Sequence, residues 1–332
     1  MSTKITVMGS GSWGTAFALV LADAGNDVTI WARRPELAAA INSLHRNPDY
    51  HADVALPEAV RAVSDSDVAL ASASVVVLAL PSQTLRQNLS TWEIGPDALL
   101  LSLAKGIEVG TGLRMSEMVH QVSGIPADQI GVLSGPNLAG EIIARQPSAS
   151  VIASTDHDTA VALQRLCHTP TFRPYTNNDV IGTELAGATK NVIALAVGMG
   201  VGLGFGANAQ ASVITRGLAE TSRLGSALGA QPQTFAGLAG LGDLVATCSS
   251  PLSRNRTFGE ALGRGQTVAE IVASTRQVAE GIKSCASIRE LSHEHGIELP
   301  IVDQVADVIS GHSTPSEALG RLLSRSARPE WE

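Results

Sequence analysis

Two lysines are the residues most open to chemistry. Lys105 stands in Leu103-Ala104-Lys105-Gly106-Ile107, directly after an apolar β-type run. That is the carboxyl edge where open α/β sheets meet their ligands. Lys190 stands in Glu184-Leu185-Ala186-Gly187-Ala188-Thr189-Lys190-Asn191, opening a helical stretch of alanine, glycine and valine. A lysine in such surroundings loses hydration, which favours its neutral form and lets it exchange a proton at working pH. The ordinary alternative for a lone lysine, a side chain snorkelling to the helix surface, stays open at this stage.

Three further segments complete a candidate pocket. Ser134-Gly135-Pro136-Asn137-Leu138-Ala139-Gly140-Glu141 follows another predicted strand, with a glycine and small residues that let backbone amides approach a ligand. Gly237-Leu238-Ala239-Gly240-Leu241-Gly242-Asp243-Leu244 is glycine-rich and carries one carboxylate. Ser253-Arg254-Asn255-Arg256 precedes a predicted helix, so it offers cations, a serine cap and free amides to a phosphate. Asp243 reads equally as a helix N-cap, and the arginines as a solvated basic turn.

Gly9-Ser10-Gly11-Ser12-Trp13-Gly14 is a G-x-G-x-x-G sequence between a predicted strand and a helix. Alone it is a weak signal, but a second strand follows at the spacing of a βαβ unit. Gly9 permits the tight turn, Gly11 lets backbone approach a pyrophosphate, and Gly14 lets the helix pack on the sheet. At the end of the second strand stands Ala32-Arg33-Arg34-Pro35, with no carboxylate until Glu36. Guanidiniums there can hold a 2′-phosphate that a carboxylate would repel, so NADP(H) is favoured and NAD(H) possible. Stacking of either arginine on adenine is the alternative.

The elements that must position these residues alternate in the first half. Lys4–Met8, Asp27–Trp31, Val75–Leu80, Leu99–Leu103, Ile130–Leu133 and Ser150–Ala153 read as strands and Thr15–Ala24 as a helix, the pattern of a parallel sheet covered on both faces. After Gly182 the period changes. Thr183–Val197, Ala209–Leu224, Pro232–Leu238, Arg256–Leu262, Val268–Ala273, Ser284–Glu294 and Ile301–Ser310 read as helical. The expectation is an α/β domain over 1–182 and an all-helical domain over 183–332, with a cleft between them.

Composition narrows the class. With 332 residues, 44% of them hydrophobic and 16% charged, the chain suits two packed domains rather than a disordered one. A net charge of −8 argues against nucleic acid as the main partner. Cys167, Cys248 and Cys285 are odd in number and widely spaced, which fits reduced structural thiols and no metal site. No run of about 18 uninterrupted apolar residues suggests a bilayer span, and the N-terminus lacks a leader pattern, so a soluble cytoplasmic protein is expected.

Together, the segments GSGSWGTA, LAKGIE, SGPNLAGE, ELAGATKNVIALAVGMGVGLGFGANAQA, GLAGLGDLVATCSSPLSRNRTFG and VAEG resemble the NAD(P)-dependent glycerol-3-phosphate dehydrogenase family, in its bacterial cytosolic branch. They cover Gly9 to Gly281 in order. The resemblance implies a Rossmann-type α/β N-terminal domain and an all-α C-terminal domain of the 6-phosphogluconate-dehydrogenase-like kind. It implies interconversion of dihydroxyacetone phosphate and sn-glycerol 3-phosphate for glycerophospholipid synthesis. Lys190 would be the general acid and base at the C2 oxygen, and Lys105 would contact both substrate and nicotinamide. Asn191 and Asp243 would support Lys190. Gly135 and Asn137 would line the substrate, with Ser253, Arg254 and Asn255 on its phosphate. Ser12, Trp13, Arg33, Ala139, Arg254, Val278 and Glu280 match cofactor contacts. Many relatives carry Ser or Thr and then Phe where this chain has Asn137 and Leu138. Rival readings are a ketopantoate-type reductase and a non-catalytic NADP-binding sensor. A homodimer is the base-rate expectation for such an enzyme.

Overall fold

The computed structural model describes residues 3–274, 280–326 and 329–330. Strands β1 (Lys4–Met8), β2 (Asp27–Trp31), β3 (Val60–Val63), β4 (Val75–Leu78), β5 (Leu99–Ser102), β6 (Ile130–Ser134), β7 (Ser148–Ser154) and β8 (Phe172–Asn177) form one sheet. Its order is β3-β2-β1-β4-β5-β6-β7-β8. The chain leaves β3 at one edge and returns beside β1 as β4, so the winding reverses between β1 and β4. Open α/β sheets bind ligands at the carboxyl ends of strands beside such a reversal. The central strands are apolar because both faces are covered: every residue of β4 is buried.

Two features depart from the expected sheet. β6 and β7 run antiparallel, whereas the apolar runs predicted parallel pairing throughout. A parallel return needs a crossover of a dozen or more residues built around a helix. The link from Ser134 to Ser148 holds only the short helix Ala139–Ile143, and residues 137–140 stay at the sheet edge lining a cleft. Too little chain remains to cross. β3 and β8 escaped the sequence reading because they are the two edges. Each exposes one face, which Arg61 in β3 and Arg173 in β8 occupy, and Pro174 further interrupts β8.

From Val180 the described chain is helical. Asp179 caps the long helix Val180–Gly202, its Oδ1 accepting from the Gly182 amide at 2.9 Å. A Cβ on Gly182 would lie 2.2 Å from that carboxylate, so the glycine keeps room for the cap. This helix is long and apolar enough to cross a membrane by length and composition. However, 72% of its most apolar window is buried inside the protein, so its apolar surface is spent on the helical core. The three cysteines are free and buried, and burial pushes each thiol up to about 12.

The long helix crosses the helix Arg254–Gly263 with backbone against backbone. A Cβ on Gly198 would meet the Arg256 carbonyl oxygen at 2.1 Å, and one on Gly259 the Leu195 carbonyl oxygen at 2.1 Å. Only glycine at the crossing lets the two axes come this close, which sets the distance from Lys190 to the Ser253–Asn255 segment. Gly259→Ala is therefore expected to cost ~1–3 kcal/mol by overpacking, read as a lower urea midpoint. A midpoint equal to wild type would mean that the helices can separate freely.

Candidate active site

The carboxyl ends of β1, β4, β5 and β6 open onto a cleft of about 640 Å³ closed from the other side by the helical half. The glycine turn after β1 forms its floor. Gly9 takes φ +138, and a Cβ there would lie 2.5 Å from the Ala79 carbonyl oxygen; a Cβ on Gly14 would lie 2.1 Å from the Gly9 carbonyl oxygen. Both positions hold the turn against the sheet. Gly11 differs: a Cβ there meets nothing within 4 Å of protein, and the residue lines the cleft. Its missing side chain leaves space for a ligand. Beside it begins the helix Ser12–Asp23, whose first amides have no partners within the helix. Trp13 Nε1, also on the cleft, is buried without a hydrogen-bond partner among the described residues. The turn thus fits a dinucleotide pyrophosphate, by open space at Gly11 and by unspent donors.

Across the cleft lies a charge cluster. Lys105 follows β5, and its Nζ donates to Asp243 Oδ2 at 2.5 Å and to the Gly135 carbonyl oxygen at 3.2 Å. Lys190, on the long helix, donates to Asp243 Oδ1 and, at 2.8 Å, to Thr247 Oγ1. Thr247 in turn donates to Asp243 Oδ1 at 3.2 Å. Asp243 is 1% exposed, the lysine side chains 12% and 11%. One sequestered carboxylate therefore clamps two ammoniums, one from each half of the chain. An ammonium has three hydrogens, so each lysine keeps one beyond these bonds, and both line the cleft.

Electrostatics follow from that packing. Burial pulls the Lys105 ammonium down to about 8; Asp243 works against the shift and the Lys190 charge adds to it. Burial pushes the Asp243 carboxyl up, but the Lys105 and Lys190 charges outweigh it and hold the group below its ordinary value. At the far wall, burial pushes the Glu280 carboxyl up, opposed first by Arg254 and then by the two lysines.

Most predicted residues meet in this cleft. Gly11, Ser12, Trp13, Gly14, Lys105, Asn137, Ala139, Lys190, Asn191, Ser253, Arg254, Asn255 and Glu280 line it. Asn137 Oδ1 accepts from Ser150 Oγ at 2.6 Å, while its Nδ2 is buried without a partner among the described residues. Asn191 bonds Asn255 rather than Lys190: Asn255 Nδ2 donates to Asn191 Oδ1 at 2.8 Å, and Asn255 Oδ1 accepts from the Gly281 amide at 3.0 Å. Ser253 caps its helix, accepting from the Arg256 amide at 3.3 Å. Asp243 begins the helix Asp243–Ser249, yet its carboxylate serves the lysines instead of capping. Gly135 lies behind Lys105. Arg33 and Arg34 sit at the end of β2, outside the cleft lining; Arg33 is exposed, and Arg34 bonds the Asp49 carboxylate with Glu36 at 3.8 Å. Val278 falls outside the described residues. Thr247, Tyr50 and His51 are cleft residues that the sequence reading missed. Thr247 lies four residues after Asp243 and so on the same helix face, a spacing that becomes a signal only once that helix is recognised.

A glycine turn on a doubly wound sheet facing buried lysines is the arrangement of a nicotinamide-dependent oxidoreductase. The descriptions NAD-dependent glycerol-3-phosphate dehydrogenase N-terminus and C-terminus match residues 4–160 and 179–320. The glycerol-3-phosphate dehydrogenase [NAD(P)+] of Streptomyces avermitilis is 58% identical over 99% of both chains. That of Thermobifida fusca is 59% identical over 99% of this chain and 98% of its own. The crystal structure of glycerol-3-phosphate dehydrogenase from Coxiella burnetii superposes with a TM-score of 0.92 at 36% identity, covering 98% of this chain and 99% of that one. The chain belongs to the NAD-dependent glycerol-3-phosphate dehydrogenase family.

Proposed function

We infer that the protein is a glycerol-3-phosphate dehydrogenase using NADP(H) or NAD(H), reducing dihydroxyacetone phosphate reversibly to sn-glycerol 3-phosphate for glycerophospholipid synthesis. The observation that carries this reading is the pair of ammoniums clamped by Asp243 at the cleft, facing the glycine turn. A nicotinamide held in the cleft would supply the hydride to C2 and accept it in the reverse direction. As reduction proceeds, negative charge gathers on the C2 oxygen, where the free N–H groups of Lys105 and Lys190 stabilise it. Lys190 is the general acid, giving up its proton to that oxygen, and the base in reverse. Asp243 and Thr247 hold its amine in place, while Asn191, its neighbour on the long helix, ties that helix to Asn255 and through it to Gly281. The orphaned Asn137 amide and the Gly135 backbone border the substrate, and Ser253, Arg254 and Asn255 hold its phosphate, so remote binding energy fixes C2.

Gly9, Gly11, Ser12, Trp13, Gly14, Ala139, Arg254 and Glu280 belong to the cofactor site in this reading. Arg33, at the end of β2 and exposed, reads the 2′-phosphate, while Arg34 is partly neutralised by Asp49. The cofactor domain is taken as 1–182 and the catalytic helical domain as 183–332. A homodimer in the cytoplasm rests on the base rate for soluble metabolic enzymes.

The test is initial velocity with dihydroxyacetone phosphate and NADPH or NADH across pH. Lys105 loses its proton through about pH 8, and the neutral amine no longer stabilises the developing charge. The reduction kcat/KM is therefore expected to fall above about pH 8, as an apparent value of the coupled cluster. The stability sign is opposite. The unfolded chain holds the Lys105 proton up to its ordinary 10.5, so it binds more protons in that window and this contribution rises with pH from about 8. No turnover of this substrate at any pH sinks the proposed activity.

A further inference from the structure

The cleft also holds an imidazole to which the reaction above gives no role. His51 lies between the helix Pro35–Leu44 and β3 and lines the cleft beside Ser12. Its Nε2 is 2.9 Å from Ser12 Oγ and 3.3 Å from the Ser12 carbonyl oxygen. A carbonyl oxygen only accepts, so the tautomer that satisfies both contacts carries its hydrogen on Nε2. Ser12 Oγ then accepts from the ring, and its own hydrogen must point elsewhere. Ser12 follows Gly11 at the start of the helix Ser12–Asp23, next to the space that Gly11 leaves open.

The backbone enforces this placement. His51 takes φ +60, a left-handed conformation uncommon outside glycine, although histidine, like asparagine and aspartate, adopts it more readily than most side chains. Such conformations persist where the surroundings over-determine them, often at ligand sites. Buried Asn47 does so here. Its Nδ2 donates to the Ser10 carbonyl oxygen at 2.9 Å and to Thr15 Oγ1 at 2.8 Å, while its Oδ1 accepts from the amides of Asp49 at 3.1 Å and Tyr50 at 3.3 Å. One asparagine thereby fastens the His51 segment to the glycine turn. The titratable groups nearby on that segment are Asp49, already bound to Arg34, with Tyr50 and Asp53. The facing turn presents Ser12 and Trp13, neither of them charged. Burial pulls the imidazole below its ordinary value, with the Ser12 carbonyl opposing, and so favours the neutral ring.

We propose that His51 is a positioning residue for the cofactor's pyrophosphate, fixing the Ser12 hydroxyl so that its hydrogen meets a phosphate oxygen, and that Nδ1 takes up a proton as the dinucleotide binds. The proposal rests on the cofactor reading above. An anion brought beside an imidazole favours its charged form. The imidazolium still donates from Nε2 to Ser12, so protonation adds attraction without breaking the positioning bond.

The experiment is calorimetric titration with NADH in two buffers of different ionisation enthalpy, at about pH 6.5. NADH is chosen because its pyrophosphate exchanges no proton there, whereas a 2′-phosphate has a second pKa of about 6. Wild type is expected to take up a fraction of a proton, with affinity weakening several-fold from about pH 6 to about pH 8. His51→Asn and His51→Gly both tolerate the left-handed backbone; with thermal midpoints confirming the fold, both should lose the uptake and the slope. Ser12→Ala should weaken binding, and adding it to His51→Asn should cost less than the sum of the single losses. Uptake that survives in His51→Asn, or wild-type binding without uptake, overturns the proposal and leaves the cofactor cleft standing. A wild type that binds neither NADH nor NADPH overturns both.

Discussion

Replacing Lys190 with methionine is expected to lower kcat/KM for dihydroxyacetone phosphate by about 10²–10⁴, the range of a lost general acid. That corresponds to about 3–5 kcal/mol of barrier. The side chain sits 11% exposed on the long helix with its amine held between Asp243 and Thr247. Methionine keeps the stem and removes the proton, and it leaves Asp243 paired with Lys105 at 2.5 Å. One cation on one carboxylate remains a balanced pair, so the fold and NADH binding should survive. Arginine separates charge from proton transfer: Lys190→Arg keeps the cation but cannot lose a proton near neutrality. Its rate should stay near that of the methionine variant if proton transfer dominates, and recover substantially if charge alone matters. Small exogenous amines should restore part of the rate to Lys190→Ala. Steady-state kinetics with both coenzymes measure all of this, and methionine within about threefold of wild type, far below the acid–base range, would remove Lys190 from the mechanism.

What the sequence could show about this site follows the range of the interactions involved. β1 and β2 have the predicted bounds because local period and apolar content set them. Lys105 and Lys190 stood out because a strand end and an apolar helix are local contexts. Asp243 stayed ambiguous between cap and counter-ion, since its partners lie 138 and 53 residues away. The helix Asp243–Ser249 was hidden by the glycines before it. Those residues form a single wide π-helical turn over Leu238–Gly242, where a Cβ on Gly240 would meet the Phe235 carbonyl oxygen at 2.1 Å. Without that helix, Thr247 had no face to share. The pairing of Arg34 with Asp49 was equally out of sight, and with it the unequal standing of the two arginines. Asn47 and His51 lie in an irregular segment with no period, and only the folded turn gives them partners.

The clamp itself makes the sharper prediction for Asp243→Asn. Asparagine offers one acceptor and one donor where the carboxylate offered two acceptors, so its amide hydrogens must face one of the two ammoniums. Two cations then share a pocket whose walls leave the lysines 12% and 11% exposed. Removing one partner of a buried ion pair typically costs about 3–5 kcal/mol because the remaining charge is uncompensated. Part of that cost is escaped if one lysine gives up its proton, and Lys105, already pulled down to about 8 by burial, is the readier of the two. The alkaline limb of kcat/KM should therefore move below pH 8 in Asp243→Asn, with activity recovering as pH is lowered. A merely structural aspartate would lower stability and leave the limb in place. Urea midpoints and pH–rate profiles on the same variant separate these outcomes. A limb that stays near pH 8 with unchanged stability would mean that the carboxylate does not hold the two lysines together.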